Sequence, residues 1–242
     1  MSLLHLLLLV VALLPLGQLL FRPRRAAGGP GRYARLLAAS WLRFGLTSAV
    51  LLALLERWPA FRHLPPEFAS AQALLGAAAF RDDERLVLIG AGAAGVSIGV
   101  LGGGLLTAWR AWHGRPEGTM FGDAGSVRPR GTHEIGWGAA VSATAGVTEE
   151  AYFRLLLPLL GTLASGDAVA AFAGAALLFG AAHRYQGWRG MVATALAGAA
   201  LSAFYLASGS LLAAMAIHAA GDAGHLVLRP AVRGWIEGRK VR

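Results

Sequence analysis

The feature that most constrains this chain is the recurrence, along its whole length, of apolar stretches close to 20 residues long. An α-helix needs about 20 apolar residues to cross a bilayer, and such segments lie near 3–21, 36–55, 86–108, 134–160, 168–183, 190–207 and 210–228. Composition agrees: 56% of the 242 residues are hydrophobic and 14% are charged, where a soluble domain carries about 25% charged residues. A water-soluble fold could not hide that much apolar surface, and no stretch remains for a separate soluble domain. The expected fold class is all-α, a polytopic transmembrane helical bundle with a span at each of these segments. A further apolar piece at 69–80 adds an eighth span if it crosses. Its length suits an interfacial, re-entrant or bent helix better.

The basic residues predict orientation. The formal charge is +9, but 21 of the 22 basic residues are Arg, clustered between apolar segments. That is a topology signal, and no nucleic-acid partner is expected. Alternate loops carry Arg22, Arg24, Arg25, Arg32 and Arg35, then Arg110, Arg115, Arg128 and Arg130, then Arg184 and Arg189, then a tail from Arg229 to Arg242. The opposite loops hold Arg57, Arg62, Arg81 and Arg85 among five acids, and the turns near 161–167 and 208–210 hold no basic residue. The asymmetry predicts an N-terminus outside and a C-terminus in the cytoplasm, in what is expected to be a bacterial cytoplasmic membrane. The run 3–21 has its positive charges after it, so it is expected to be a retained helix and not a signal peptide. With no Cys, disulfides, thiolate metal sites and a cysteine nucleophile are excluded.

Three motifs imitate chemistry. Leu86-Val87-Leu88-Ile89 before Gly90-x-Gly92-x-x-Gly95 resembles a dinucleotide fingerprint, but no acid follows until Glu117, and the fingerprint needs one about 20 residues on. Gly95-x-Ser97-x-Gly99 fits a nucleophile elbow, which needs a strand before it. The spacing of Gly95 and Gly99 instead predicts close packing of membrane helices. His133-Glu134 begins like a zincin motif, but position 137 is Trp.

The informative residues are polar groups inside spans, each costing a few kcal/mol there unless paired. These are Glu149, Glu150 and Arg154 in the fourth segment, His183 at the end of the fifth, and His218 and Asp222 in the seventh. Glu150 and Arg154, four apart, share a helix face and can pair. Glu149 is turned about 100° away and stays uncommitted. Asp222, four residues after His218, can hold one ring nitrogen and leave the other for substrate, water or metal. Arg43 stands by itself in the second segment, snorkelling or lining a cavity.

Taken in order, Glu149-Glu150-x-x-x-Arg154, Phe179-x-x-x-His183 and His218-x-x-x-Asp222 resemble the CAAX-processing and bacteriocin-processing (Abi-type) membrane proteases, glutamate-dependent relatives of the prenyl-protein endopeptidase. The resemblance covers roughly 134–228. It implies hydrolysis of a peptide bond within the bilayer, near its cytoplasmic side, in a membrane-anchored protein or peptide. Glu149 would activate water with His183, His218 and Asp222 would stabilise the oxyanion, and Glu150, Arg154 and Phe179 would support them. Prenyl-protein members carry Asn where this chain has Asp222. An ionised Asp cannot donate to an oxyanion, so Asp222 orients His218, is protonated, or joins Glu149, His183 and His218 around Zn²⁺; the orienting role without a cofactor is the reading adopted. On this basis 1–133 holds N-terminal helices and a cytoplasmic loop, 134–228 the catalytic core and 229–242 a basic tail. Two other functions fit the same residues: a non-catalytic scaffold or immunity protein, and a proton-coupled transporter, which usually shows the internal repeats not found here.

Overall fold

The computed structural model describes residues 3–21, 31–116, 127–129 and 131–240. Arg22, Arg24, Arg25, Glu117, Arg130 and Arg242, invoked above, lie outside the described residues. Among the described residues every regular element is helical. In chain order the α-helices are α1 (Leu3–Phe21), α2 (Arg32–Ser40), α3 (Leu46–Leu54), α4 (Ala69–Leu74), α5 (Asp82–Trp112), α6 (Ile135–Glu150), α7 (Leu157–Ser165), α8 (Ala168–Ala182), α9 (Gly187–Ser208), α10 (Leu211–Ala223) and α11 (Arg229–Lys240). Three π-helical turns, Trp41–Gly45, Ala151–Leu156 and Gly224–Leu228, fuse α2 to α3, α6 to α7 and α10 to α11.

A helix thus stands at each expected segment. Leu3–Leu20, Arg32–Leu54, Asp82–Trp112, Arg184–Ser208 and Leu211–Arg239 are long and apolar enough to cross a membrane. The continuous helix Ile135–Ser165 carries the buried charges, and α8 is apolar but only 15 residues long. The protein is a polytopic helical membrane bundle. The doubtful piece at 69–80 contains the six-residue α4, about 9 Å at 1.5 Å per residue, and does not cross. Phe68, just before it, is fully buried against the rings of Phe172 and Tyr205, and Gln72 donates to the Leu206 carbonyl. The segment caps one end of α8 and α9.

Local chemistry sets the helix ends. The acids Asp82, Asp83 and Glu84 open α5 and Arg110 closes it, matching the helix dipole. The turns between α7 and α8 and between α9 and α10 share one construction. Gly166 and Gly209 end a helix in the left-handed region, with φ of 79° and 69°. The next residue caps the following helix: Asp167 accepts from the Ala170 N–H and Ser210 from the Ala213 N–H. Such short turns place successive helices side by side and antiparallel.

Residues Ala151–Leu160 are all buried, so the α6–α7 helix runs through the middle of the bundle. Tyr152 donates to the Ala12 carbonyl of α1, while Phe44 of α2–α3 packs its ring on Tyr152 and Phe153. At the periphery, α5 exposes Leu86, Val87, Ile98, Leu101 and Leu105, a surface suited to lipid. The glycine motif of α5 requires a correction. Nothing lies within 4 Å of where a Cβ on Gly95 or Gly99 would stand, so these residues do not mediate close packing. Instead α5 meets its neighbours at Gly92, against Phe204 and Ile217, and at Gly103 and Gly104, against Arg229 and Leu228.

Helix α6 meets α10 closely at Gly146, where a Cβ would stand 2.7 Å from the Met215 carbonyl oxygen and 2.8 Å from the Ala219 Cβ. Gly146→Ala should therefore force α6 and α10 apart and cost about 1–3 kcal/mol, read as a lower melting temperature in detergent. Gly90→Ala, with nothing within 4 Å, should leave it nearly unchanged.

Candidate active site

Three helices bring the polar residues together. Glu149 and Glu150 end α6, immediately before the π-helical turn Ala151–Leu156 that contains Arg154. Phe179 lies in the last turn of α8, and His183 is its C-cap. His218 and Asp222 lie on α10. Gly146 allows α10 to approach α6, and Gly180 does the same for α8 and α9: a Cβ there would lie 2.6 Å from the Met191 carbonyl oxygen.

Glu150 is the most enclosed of the set, with 0% of its side chain exposed. Its Oε2 lies 3.1 Å from Arg154 Nε, the pair expected from their spacing. Its Oε1 accepts a 2.7 Å hydrogen bond from His218 Nδ1, a contact between residues 68 positions apart that no local pattern encodes. The carboxylate that holds the His218 ring is therefore Glu150. Asp222 Oδ2 instead lies 3.7 Å from His218 Nε2, beyond hydrogen-bond distance, so the expectation that Asp222 holds one nitrogen and frees the other is corrected. Asp222 is also the open member of the set, with 37% of its side chain exposed against 10% for His218. The Arg154 guanidinium lies over the Phe179 ring, 4.4 Å from its centroid. That ring also meets Phe153, His183 and His218 at centroid distances of 5.0, 4.8 and 5.9 Å. Phe179 is the shared wall of the site.

Glu149 differs from its neighbour. The Oε2 of each is buried without a hydrogen-bond partner among the described residues, but that of Glu150 faces Arg154 Nε across an ion pair, whereas that of Glu149 has neither, and such an atom in a native protein calls for water or a ligand. His183 directs Nδ1 at the Phe179 carbonyl, 2.9 Å away. A carbonyl only accepts, so Nδ1 carries the proton and the neutral ring keeps its lone pair on Nε2. Glu149, Glu150, His183 and His218 all lie within electrostatic reach of Asp222. One member of this group escaped the sequence reading: Tyr185, whose ring packs on His183 at 5.7 Å. Its hydroxyl accepts from Gln186 and lies within electrostatic reach of Glu149 and Asp222. Its only sequence signal was its position two residues after His183.

No three His, Asp or Glu side chains among the described residues form a group that could hold a metal ion. Arg43, in the π-helical turn Trp41–Gly45, is half-buried and has no ion-pair partner among the described residues.

Because Glu150 serves both Arg154 and His218, Glu150→Gln should strand a buried cation and cost about 3–5 kcal/mol. Melting in detergent reads the loss. Combining it with Arg154→Met should recover part of that stability, since the neutral pair leaves no unpaired charge.

Residues 131–224 match the family model described as type II CAAX prenyl endopeptidase, Rce1-like. No curated protein and no solved structure matches the chain. The matched segment contains Glu149, Glu150, Arg154, Phe179, His183, His218 and Asp222. By that match, the segment that carries the site is similar to the type II CAAX prenyl endopeptidase, Rce1-like, family.

Proposed function

We propose that this protein is an intramembrane endopeptidase that hydrolyses a peptide bond in a membrane-anchored protein or peptide, at a C-terminal tail, sorting signal or leader. The observation that carries this reading is the division of labour between adjacent carboxylates. Glu150 is committed to Arg154 and His218, while Glu149 beside it keeps a buried oxygen with no partner. A scaffold has no use for a buried, uncommitted carboxylate, which destabilises the fold. A hydrolase needs one to take a proton from water.

Amide hydrolysis then proceeds as follows. Water sits between Glu149 and the lone pair of His183 Nε2. As its oxygen bonds to the substrate carbonyl carbon, its proton passes to Glu149. His218, with Nδ1–H held by Glu150, presents Nε2–H to the oxyanion, a preorganised donor that need not reorient during the reaction. The C–N bond breaks and the amine leaves with the proton that Glu149 had taken. Asp222, beside His218 Nε2 and more exposed than His218, lies on the approach for substrate and water. The membrane-anchored substrate enters from the bilayer, and the site works toward the cytoplasmic side of what we take to be a bacterial membrane.

Glu149→Gln should abolish cleavage while leaving detergent melting nearly unchanged, because the change is isosteric and Glu149 holds no partner. Terminal-peptide mass spectrometry of membranes from cells with wild-type protein or the variant provides the readout. New protein termini should appear only with wild type; the same termini with both would instead support a non-catalytic scaffold.

The proposed orientation has its own test, made clean by the absence of native Cys. A Cys at Gly187 should react with an impermeant maleimide only from the cytoplasmic side, and one at Ser165 only from outside. Labelling of both from one face would overturn the orientation from α6 onward.

A further inference from the structure

We infer that Tyr185 is a further catalytic residue, its phenolic O–H donating to the oxyanion as a second donor beside His218. The inference rests on the endopeptidase reading above and adds a residue to it. The charge that develops on the substrate carbonyl oxygen is held best by preorganised donors aimed at where it forms. His218 Nε2–H is one. Asp222, 3.7 Å from that nitrogen, is a carboxylate, which when ionised only accepts. Arg154 is committed to Glu150 and covered by the Phe179 ring. Tyr185 brings a hydroxyl to the same group of side chains, within electrostatic reach of both Glu149 and Asp222.

The turn after His183 holds Tyr185 in place. The chain reverses through the 3₁₀ turn Arg184–Gln186, in which the Gln186 N–H donates to the His183 carbonyl at 2.9 Å, and Gly187, with φ of 81°, leads into α9. The reversal lays the Tyr185 ring against that of His183, 5.7 Å between centroids and 36° between planes, so that Tyr185 extends the wall begun by Phe179 and His183. The direction of the hydrogen bonds then decides what the phenol can do. Thr194 Oγ1 of α9 donates to Gln186 Oε1 over a long 3.5 Å, and Gln186 Nε2 donates to Tyr185 Oη at 3.1 Å. The phenol oxygen therefore already accepts, and its own O–H is the open end of the chain. Tyr185 is 36% exposed, so an arriving substrate can reach it. A donor to an anionic oxygen makes a stronger hydrogen bond than a donor to a neutral carbonyl, and the Tyr185 contact therefore tightens as the tetrahedral intermediate forms. No proton leaves the phenol. Glu149 remains the base, and the bond made and the bond broken are those of the hydrolysis already described.

The test follows, in membranes of cells expressing each full-length protein, how fast the protein termini that depend on Glu149 accumulate after induction. Tyr185→Phe keeps the ring on His183 and removes the O–H. It should slow those termini about a hundredfold, the loss typical of one oxyanion donor, with detergent melting nearly unchanged. Tyr185→4-aminophenylalanine, installed by stop-codon suppression, restores an N–H donor on the same ring and should recover much of the rate, which a purely packing role for Tyr185 does not predict. Accumulation within twofold of wild type in Tyr185→Phe would overturn the inference and leave the endopeptidase reading intact. So would a slow Tyr185→Phe that the amino variant fails to rescue. Wild-type membranes with no termini beyond those of Glu149→Gln would instead remove the endopeptidase reading, and this inference with it.

Discussion

The burial of one carboxylate organises this protein. Glu150, with no exposed surface, can remain in the middle of a membrane bundle only if its charge is matched there. Two partners match it: Arg154, one turn along its own helix, and His218 on α10. The second requires α10 to pack closely on α6, which Gly146 permits. Arg154 in turn covers its remaining face with the Phe179 ring of α8. Charge compensation at a single point thus ties together the three helices that carry the polar site. It also separates the roles of Glu149 and Glu150, which composition alone would treat alike.

The π-helical turn following Glu150 belongs to the same arrangement. Such turns are uncommon and cluster at functional sites. This one spans Ala151–Leu156 and holds Tyr152, Phe153 and Arg154, which point respectively to a carbonyl of α1, to the Phe179 ring and to Glu150. A second π-helical turn, Trp41–Gly45, meets it through Phe44. Aromatic contacts run continuously from Phe44 through Phe153 and Phe179 to the two histidines. The orientation of His183 and His218 therefore rests on packing as well as on hydrogen bonds.

What could be read from sequence was whatever depends on neighbours along the chain. The helix positions follow from apolar length, the Glu150–Arg154 pair from four-residue spacing, and the tight hairpins from Gly followed by Asp or Ser. What could not be read depends on which face meets which. Spacing shows that Gly95 and Gly99 share a face but not that this face meets nothing. It places Asp222 beside His218 but cannot reveal that Glu150 arrives from another helix at 2.7 Å. Arg32 and Glu134, paired across 102 positions, were assigned respectively to a topology signal and to a failed zincin motif. The π-helical turns leave no mark in hydrophobic periodicity, because the residues on either side continue the same apolar pattern.

The length of α8 bears on how the interior is hydrated. Its 15 residues rise about 22 Å, against a hydrocarbon core roughly 30 Å thick. It ends at His183, and the chain reverses through Arg184–Gln186 into α9, so this short irregular stretch lies deeper than the termini of a full-length span. Non-helical backbone at that depth persists only where protein or a water-filled cavity surrounds it. Arg184 and Gln186 place polar groups in this stretch. The shortness of one helix thus sets the depth at which His183 sits, and the hydrolysis proposed above needs water to reach that depth.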